Sequence, residues 1–219
     1  MKKSLLAGIA VSALLLAAPQ ALAGGYKPYV SVFGGAAVLT KNPHFVIDSV
    51  HATSDFIMNN PGYIIGGAVG LDWGNQVRTE IELSHGRWGS DHVHYTFDGT
   101  QKGTVGESSD LSATYLLGNT WLDLTHGSMI TPYVGGGLGI GWARINAYPN
   151  NQPINFTASG LAFQLGAGFR FDVSDNVSID AGYRFKDIVG LDYVSSSSEF
   201  TADTSLASHN FQVGVTLKF

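Results

Sequence analysis

The sequence predicts an all-β chain: an eight-stranded antiparallel up-and-down transmembrane β-barrel. Three observations carry that prediction. The chain ends on a strand in which Phe211, Val213, Val215, Leu217 and Phe219 alternate with Asn210, Gln212, Gly214, Thr216 and Lys218, so that one face is apolar and the other polar. Seven earlier segments repeat the pattern, and the chain is rich in its characteristic residues, with 28 Gly and 11% aromatics. Long and short connections alternate between these segments. Backbone polar groups in hydrocarbon must be paired within the protein, so strands with an oily outer face belong in a closed ring.

The N-terminal residues read as an export signal. Lys2 and Lys3 precede an apolar run from Leu5 to Ala18, and Ala21-Leu22-Ala23 supplies the small-x-small pattern that predicts cleavage after Ala23. The run is interrupted by Gly8 and Ser12 and closed by Pro19, short of the roughly 20 apolar residues of a spanning helix. Residues 24–219 are then the barrel domain. The chain contains no cysteine, so disulfides cannot brace it. Formal net charge is −5, and the signal holds two of the 12 basic residues, which leaves an acidic mature chain without a basic stripe. Nucleic acid is not an expected partner.

The eight strands are predicted at Tyr29 to Leu39, Gly62 to Asp72, Val77 to Trp88, Asp110 to Leu124, Pro132 to Arg144, Thr157 to Val173, Val177 to Ile188 and Leu206 to Phe219. Each reaches the roughly 9 to 11 residues that cross a bilayer at a tilt. Connections at residues 40–61, 89–109, 145–156 and 189–205 are long and polar, whereas those at 73–76, 125–131 and 174–176 are short. Short turns belong in the periplasm and long loops outside, and an even strand count returns both ends to the periplasm.

Parity assigns the faces. In the sixth strand Leu161, Phe163, Leu165, Phe169 and Phe171 oppose Gln164, Gly166, Gly168, Arg170 and Asp172. In the seventh, Val177, Ile179, Ala181, Tyr183 and Phe185 oppose Ser178, Asp180, Gly182, Arg184 and Lys186, and in the third Thr79, Ile81 and Leu83 oppose Arg78, Glu80 and Glu82. An Arg or Lys facing lipid at mid-depth costs about 2 to 4 kcal/mol, so the charged set points inward. The Tyr115-Leu116-Leu117 run leaves the phase of the fourth strand open. In the fifth, Gly135, Gly137, Gly139 and Gly141 share the lumen face, reading as space for long side chains opposite and as tolerance of curvature. Trp88 and Trp142 are expected at the outer rim, and Trp73, Tyr133 and Phe219 at the inner rim, as interfacial aromatics.

The segments Thr131 to Gly139, Phe163 to Phe171, Asn176 to Phe185 and the terminal strand resemble the small eight-stranded outer-membrane β-barrel family. That family includes the OmpA membrane domain, the opacity proteins and surface antigens of intracellular bacteria. The resemblance spans Thr131 to Phe219 most closely and is absent from the loops. It implies a Gram-negative outer membrane, contact with its lipids including lipopolysaccharide, and Phe219 with its strand as the signal read by the barrel assembly machinery. It implies no single activity, because members differ in their loops.

An eight-stranded ring is filled by its own side chains. Arg78, Arg170, Arg184, Lys186 and Lys218 are expected to pair with Glu80, Glu82, Asp172 and Asp180 as a lumen ion-pair network that plugs the barrel. A small porin with a narrow conducting lumen is the alternative. Catalysis is not expected: beside His85 stand Ser84 and, two residues on, Arg87, which is not the His/Ser spacing of a lipid A deacylase. His92 and His94 flank Val93 in the second long loop, and His44 and His51 lie in the first. Without a fixed third ligand they read as solvated loop residues, and neither metal nor cofactor is assigned. The expectation is a structural, surface-exposed protein whose recognition of a host or envelope surface resides in residues 40–61 and 89–109.

Overall fold

The computed structural model describes residues 25–40, 44–47, 52–57, 61–90, 92–97, 101–105, 109–125, 128–147, 154–193 and 205–219. The proposed signal and cleavage position lie outside these, as does His51.

Twelve strands form in chain order. They are β1 (Lys27–Leu39), β2 (His44–Ile47), β3 (Ala52–Ile57), β4 (Gly62–Asp72), β5 (Val77–Ser90), β6 (His92–Phe97), β7 (Gln101–Val105), β8 (Ser109–Asp123), β9 (Ile130–Ala147), β10 (Ile154–Asp172), β11 (Val177–Tyr193) and β12 (Leu206–Lys218). Eight of them close into an antiparallel barrel in the order β1-β12-β11-β10-β9-β8-β5-β4. These are the eight predicted strands, most lengthened by one or more residues towards the outer end. β1 seals the ring by pairing with both β4 and β12, and the Phe219 N–H donates to the Pro28 carbonyl at 2.9 Å. No helix among the described residues is long and apolar enough to cross a membrane, which says nothing of strands.

The alternation of β-branched and aromatic residues with small or polar ones produces these strands, since a pleated ribbon buries one face and presents the other. Outward positions carry Val32, Ile65, Leu83, Leu138, Leu165, Phe169, Phe211 and Val213, all more than half exposed. A continuous apolar band of this kind around a cylinder is matched by acyl chains, not water. The fourth predicted strand, β8, keeps strict alternation: Leu116 faces out at 42% exposure, and Tyr115 and Leu117 are buried inside. Three apolar residues in a row are compatible with either phase in a barrel whose interior is also partly apolar.

Short turns close the inner end. Between β4 and β5 the Asp72 carboxylate accepts from Gly74 N–H at 3.0 Å, and Gly74 and Gln76 take φ of +71°. Between β10 and β11 the Ser174 hydroxyl accepts from Val177 N–H at 3.2 Å. At the outer end the β10–β11 register shifts between Ser159 and Leu161, opposite Gly190 at φ +61°, the left-handed geometry of a bulge that only glycine adopts cheaply.

The largest departure from expectation lies outside the barrel. Segments 40–61 and 89–109, read as long polar loops, contain β2, β3, β6 and β7, which form one four-stranded sheet in the order β2-β3-β6-β7. Its central β3–β6 pairing joins a hairpin from the first segment to a hairpin from the second. Strands of four to six residues fall below the length that crosses a bilayer, so their signal is hidden among turn residues.

Candidate functional site: a filled lumen beneath an outer sheet

The interior is built in three levels, each supplied by inward positions of several strands. At the inner end Asp123 on β8 binds two guanidinium groups. Arg78 Nε and Nη2 reach its Oδ1 at 3.0 and 2.9 Å, and Arg170 Nη2 reaches Oδ2 at 2.8 Å. Arg170 also lies 3.9 Å from Asp72 and 3.7 Å from Asp172. Asp172 in turn accepts from Lys218 Nζ at 2.6 Å and from the Ser178 hydroxyl at 2.6 Å. The network therefore runs around the barrel from β4 and β5 to β12, with a carboxylate between neighbouring cations at each step.

The middle level holds Glu80, Glu82, Asp180, Arg184 and Lys186. Glu80 accepts from Tyr29 OH at 2.9 Å, Asn119 Nδ2 at 3.0 Å and Trp121 Nε1 at 2.8 Å, so neutral donors hold it. The Arg184 guanidinium lies 4.2 Å above the Trp121 ring and donates to Tyr133 OH at 2.8 Å, which donates to Asp180 at 2.7 Å. Lys186 is fully buried and forms an ion pair with Glu82, while also donating to Ser84 Oγ at 2.9 Å. Glu82 further accepts from Ser84 at 2.7 Å, Asn119 at 3.0 Å and Gln164 at 2.8 Å. A buried carboxylate with four donors and a buried ammonium with two acceptors meet the condition under which desolvated charges persist.

The outer level is apolar. Ala37, Ile64, Trp88, Leu111, Ala113, Tyr115, Leu117, Ile145, Ala162, Ile188, Leu191 and Leu206 form one buried cluster across the mouth of the barrel. Trp88 is 1% exposed, and its indole N–H donates to the Ala37 carbonyl at 2.9 Å. Trp88 and Tyr133 therefore stand inside the barrel, correcting their expected place among the rim aromatics. Parity explains it: Trp88 shares a face with Glu82 and Ser84, and Tyr133 with Gly135. Trp73, Trp142 and Phe219 are surface-exposed at 45, 38 and 43%.

All nine charged residues singled out in the sequence lie on inward positions. Sequence reasoning missed two of their partners, Asp72 and Asp123, which stand at the inner ends of β4 and β8. Their parity with Gly70 and Trp121 is the signal that places them inside. The β9 glycines match large inward neighbours that are mostly uncharged: a Cβ on Gly137 would overlap Asn119 and the Gly118 carbonyl, and one on Gly141 would come within 2.6 Å of Ile188. A polar cavity of about 40 Å³ remains, lined in part by Arg78, Glu80, Glu82, Asp180, Arg184 and Gln212. Gln212 Nε2 is buried without a protein partner there. That volume suits a few waters.

A closed ring with an apolar belt outside and paired charges within defines an integral membrane β-barrel. The chain matches the Outer membrane protein beta-barrel domain family over residues 8–219, and it belongs to that family. It is an outer-membrane protein of the Gram-negative type. It is 30% identical over 118 residues to the outer membrane protein PagN of Salmonella typhimurium, covering 48% of this chain and 49% of that one. An uncharacterised Brucella abortus protein is 21% identical over 180 residues, covering 68% of this chain and 60% of that one. The matched region thus spans about half the length of PagN and somewhat more of the Brucella protein. Among solved structures, neisserial surface protein A aligns with TM-score 0.52 and 16% identity, over 89% of this chain and 97% of that one. The attachment invasion locus protein Ail of Yersinia pestis, in complex with the heparin analogue sucrose octasulfate, aligns with TM-score 0.50 and 15% identity, over 89 and 99%. Both share the barrel fold.

Proposed function

We propose that this protein is a plugged outer-membrane scaffold that presents an extracellular sheet for adhesion to a host surface or a neighbouring envelope component. One observation carries the reading: the two long segments do not hang separately but pair through β3 and β6 into a single four-stranded sheet. A paired backbone gives a surface a fixed shape, which is what recognition from a rigid scaffold requires. The relationship to PagN and the fold shared with Ail, an attachment invasion locus protein, support a surface role. In this reading residues 1–23 are the export signal, Phe219 and β12 are recognised by the assembly machinery, and the lumen ion pairs hold the cylinder shut. No catalytic step is assigned. The outer membrane's lipids, lipopolysaccharide among them, contact the apolar belt.

The test replaces residues 41–60 and 91–108 with short Gly-Ser turns. Heat-modifiable migration on detergent gels reports an intact barrel, and adhesion of bacteria displaying the variant is lost. Undiminished adhesion refutes the proposal. Planar-bilayer recording addresses the porin alternative. The apolar outer level and the paired charges beneath it leave the refolded protein silent, and stable open steps would reverse that conclusion.

A further inference from the structure

We propose that Arg87 and Arg144 bind a phosphate of one outer-leaflet glycolipid, the lipid A portion of lipopolysaccharide, on the outer wall of the barrel. This rests on the reading that lipopolysaccharide contacts the apolar belt, and it gives that contact one place and one chemistry. Pairing across β5, β8, β9 and β10 stacks three rows of outward residues. Leu83, Leu116, Ile140 and Leu161 form the first row, all exposed. His85, Thr114, Trp142 and Ser159 form the second, and Arg87, Ser112, Arg144 and Thr157 the third. Rows two residues apart on tilted strands differ by about 5 Å in height. Apolar, then polar and aromatic, then cationic levels match the acyl chains, sugar and phosphate of such a lipid in order.

The height fits as well. From Val77 at the inner end of β5 the strand climbs about 25 Å along the barrel axis to Arg87, which is the height of a membrane barrel's apolar band. The arginines therefore stand at headgroup level. Among the described barrel strands they are the only basic residues at outward positions, and they share one row on one side of the cylinder. Beneath them Gly118 stands between the exposed Ile81 and Leu138, and a Cβ there would meet only the Leu138 carbonyl at 3.8 Å. A shallow groove for an acyl chain thus continues down the wall.

Local contacts leave the two guanidinium groups available. Arg87 Nη2 lies 3.4 Å from Asp110, which also accepts from Asn146 Nδ2 at 2.9 Å. That contact draws the Arg87 side chain over β8, towards Arg144, and leaves the rest of its fork of donors for a second anion. Arg144 is exposed, its Nε meets only the neutral Thr157 hydroxyl at 3.4 Å, and it forms no ion pair among the described residues. Between the arginines, the Ser112 hydroxyl makes a long 3.5 Å contact to the Arg144 carbonyl and remains able to donate elsewhere. Two guanidinium forks around a hydroxyl suit the oxygens of a phosphate.

The experiment titrates the mature chain, refolded in nonionic detergent micelles, with purified lipid A and counts bound lipid by native mass spectrometry. One retained lipid A per chain is expected. Loss of one charge-assisted hydrogen bond costs about tenfold, so R87Q/R144Q should weaken retention by about tenfold or more. K27Q, at the inner end of β1, should behave as the native chain. Lipid A stripped of its phosphates should bind the native chain no better than it binds R87Q/R144Q. Added salt should weaken lipid A binding to the native chain and leave the variant unchanged. A soluble sulfated oligosaccharide should not distinguish the two. Heat-modifiable migration confirms that each variant retains the barrel. Equal retention of lipid A by R87Q/R144Q, indifference of the native chain to the phosphates, or a loss confined to the sulfated oligosaccharide overturns the site and leaves the belt's contact with lipid standing. Failure of the native chain to retain lipid A in either form overturns both.

Discussion

Replacing Glu82 by Gln removes a charge and keeps the shape, which makes it a direct probe of the buried pair. Lys186 is fully buried, and its other contacts are neutral: the Ser84 hydroxyl at 2.9 Å and the Tyr115 and Phe33 rings, whose centroids lie 5.1 and 6.0 Å from its ammonium. An ammonium left uncompensated in this setting destabilises by about 3 to 5 kcal/mol. The reverse change, Lys186→Met, leaves the Glu82 carboxylate with donors from Ser84, Asn119 and Gln164 at 2.7 to 3.0 Å. Hydrogen bonds to a charged group contribute about 1.5 to 3 kcal/mol each, so this variant loses less, about 1 to 3 kcal/mol. The double variant E82Q/K186M removes both charges and should fall within about 1 kcal/mol of the native chain, as replaced buried pairs commonly do. Urea unfolding in lipid vesicles, followed by tryptophan fluorescence, measures all four proteins. If E82Q matches the native stability, or if the double variant is as unstable as the sum of the singles, the buried-pair reasoning fails.

Three further outcomes are expected. Leu165→Arg, in the middle of the outward belt at 60% exposure, should cost about 2 to 4 kcal/mol in vesicles, and a neutral result would deny that this face meets lipid. Gly137→Ala should destabilise by about 1 to 3 kcal/mol, seen as a lower temperature for the heat-modifiable band shift, because its Cβ overlaps Asn119 and the Gly118 carbonyl. Removing Phe219 deletes one backbone hydrogen bond to Pro28, worth about 1 kcal/mol in refolded protein. Assembly in cells should fall far more than that predicts if the residue is an assembly signal, and proportionate losses in the two settings would reduce it to a structural role.

The eight barrel strands were legible because each carries its own evidence. Leu161 to Phe171 and Ile179 to Phe185 state their lipid face by parity alone, and the charge on Arg170, Arg184 and Lys186 fixes the opposite face without reference to any other strand. Partner choice was not legible in the same way. Arg78 was expected to pair somewhere within the set Glu80, Glu82, Asp172 and Asp180, without a particular partner, and successive inward residues of a strand lie at different depths. Its partner is Asp123, near its own level on the adjoining β8. Trp88 was read as a rim aromatic from its distance along the chain, whereas its face, shared with Glu82, decided its place.

In the strands whose charges mark one face, the sequence by itself determined which residues meet lipid and which meet the lumen, because that assignment depends only on a period of two and on the cost of charge in hydrocarbon. Tertiary structure decided what happens between strands distant in the chain. Three results needed it: the two guanidinium groups on Asp123, the apolar level that closes the outer mouth, and the joining of β3 to β6 in one outer sheet. Each depends on register, a relation between strands that no single segment encodes. The position of one strand against its neighbour is set by the closure of the whole ring.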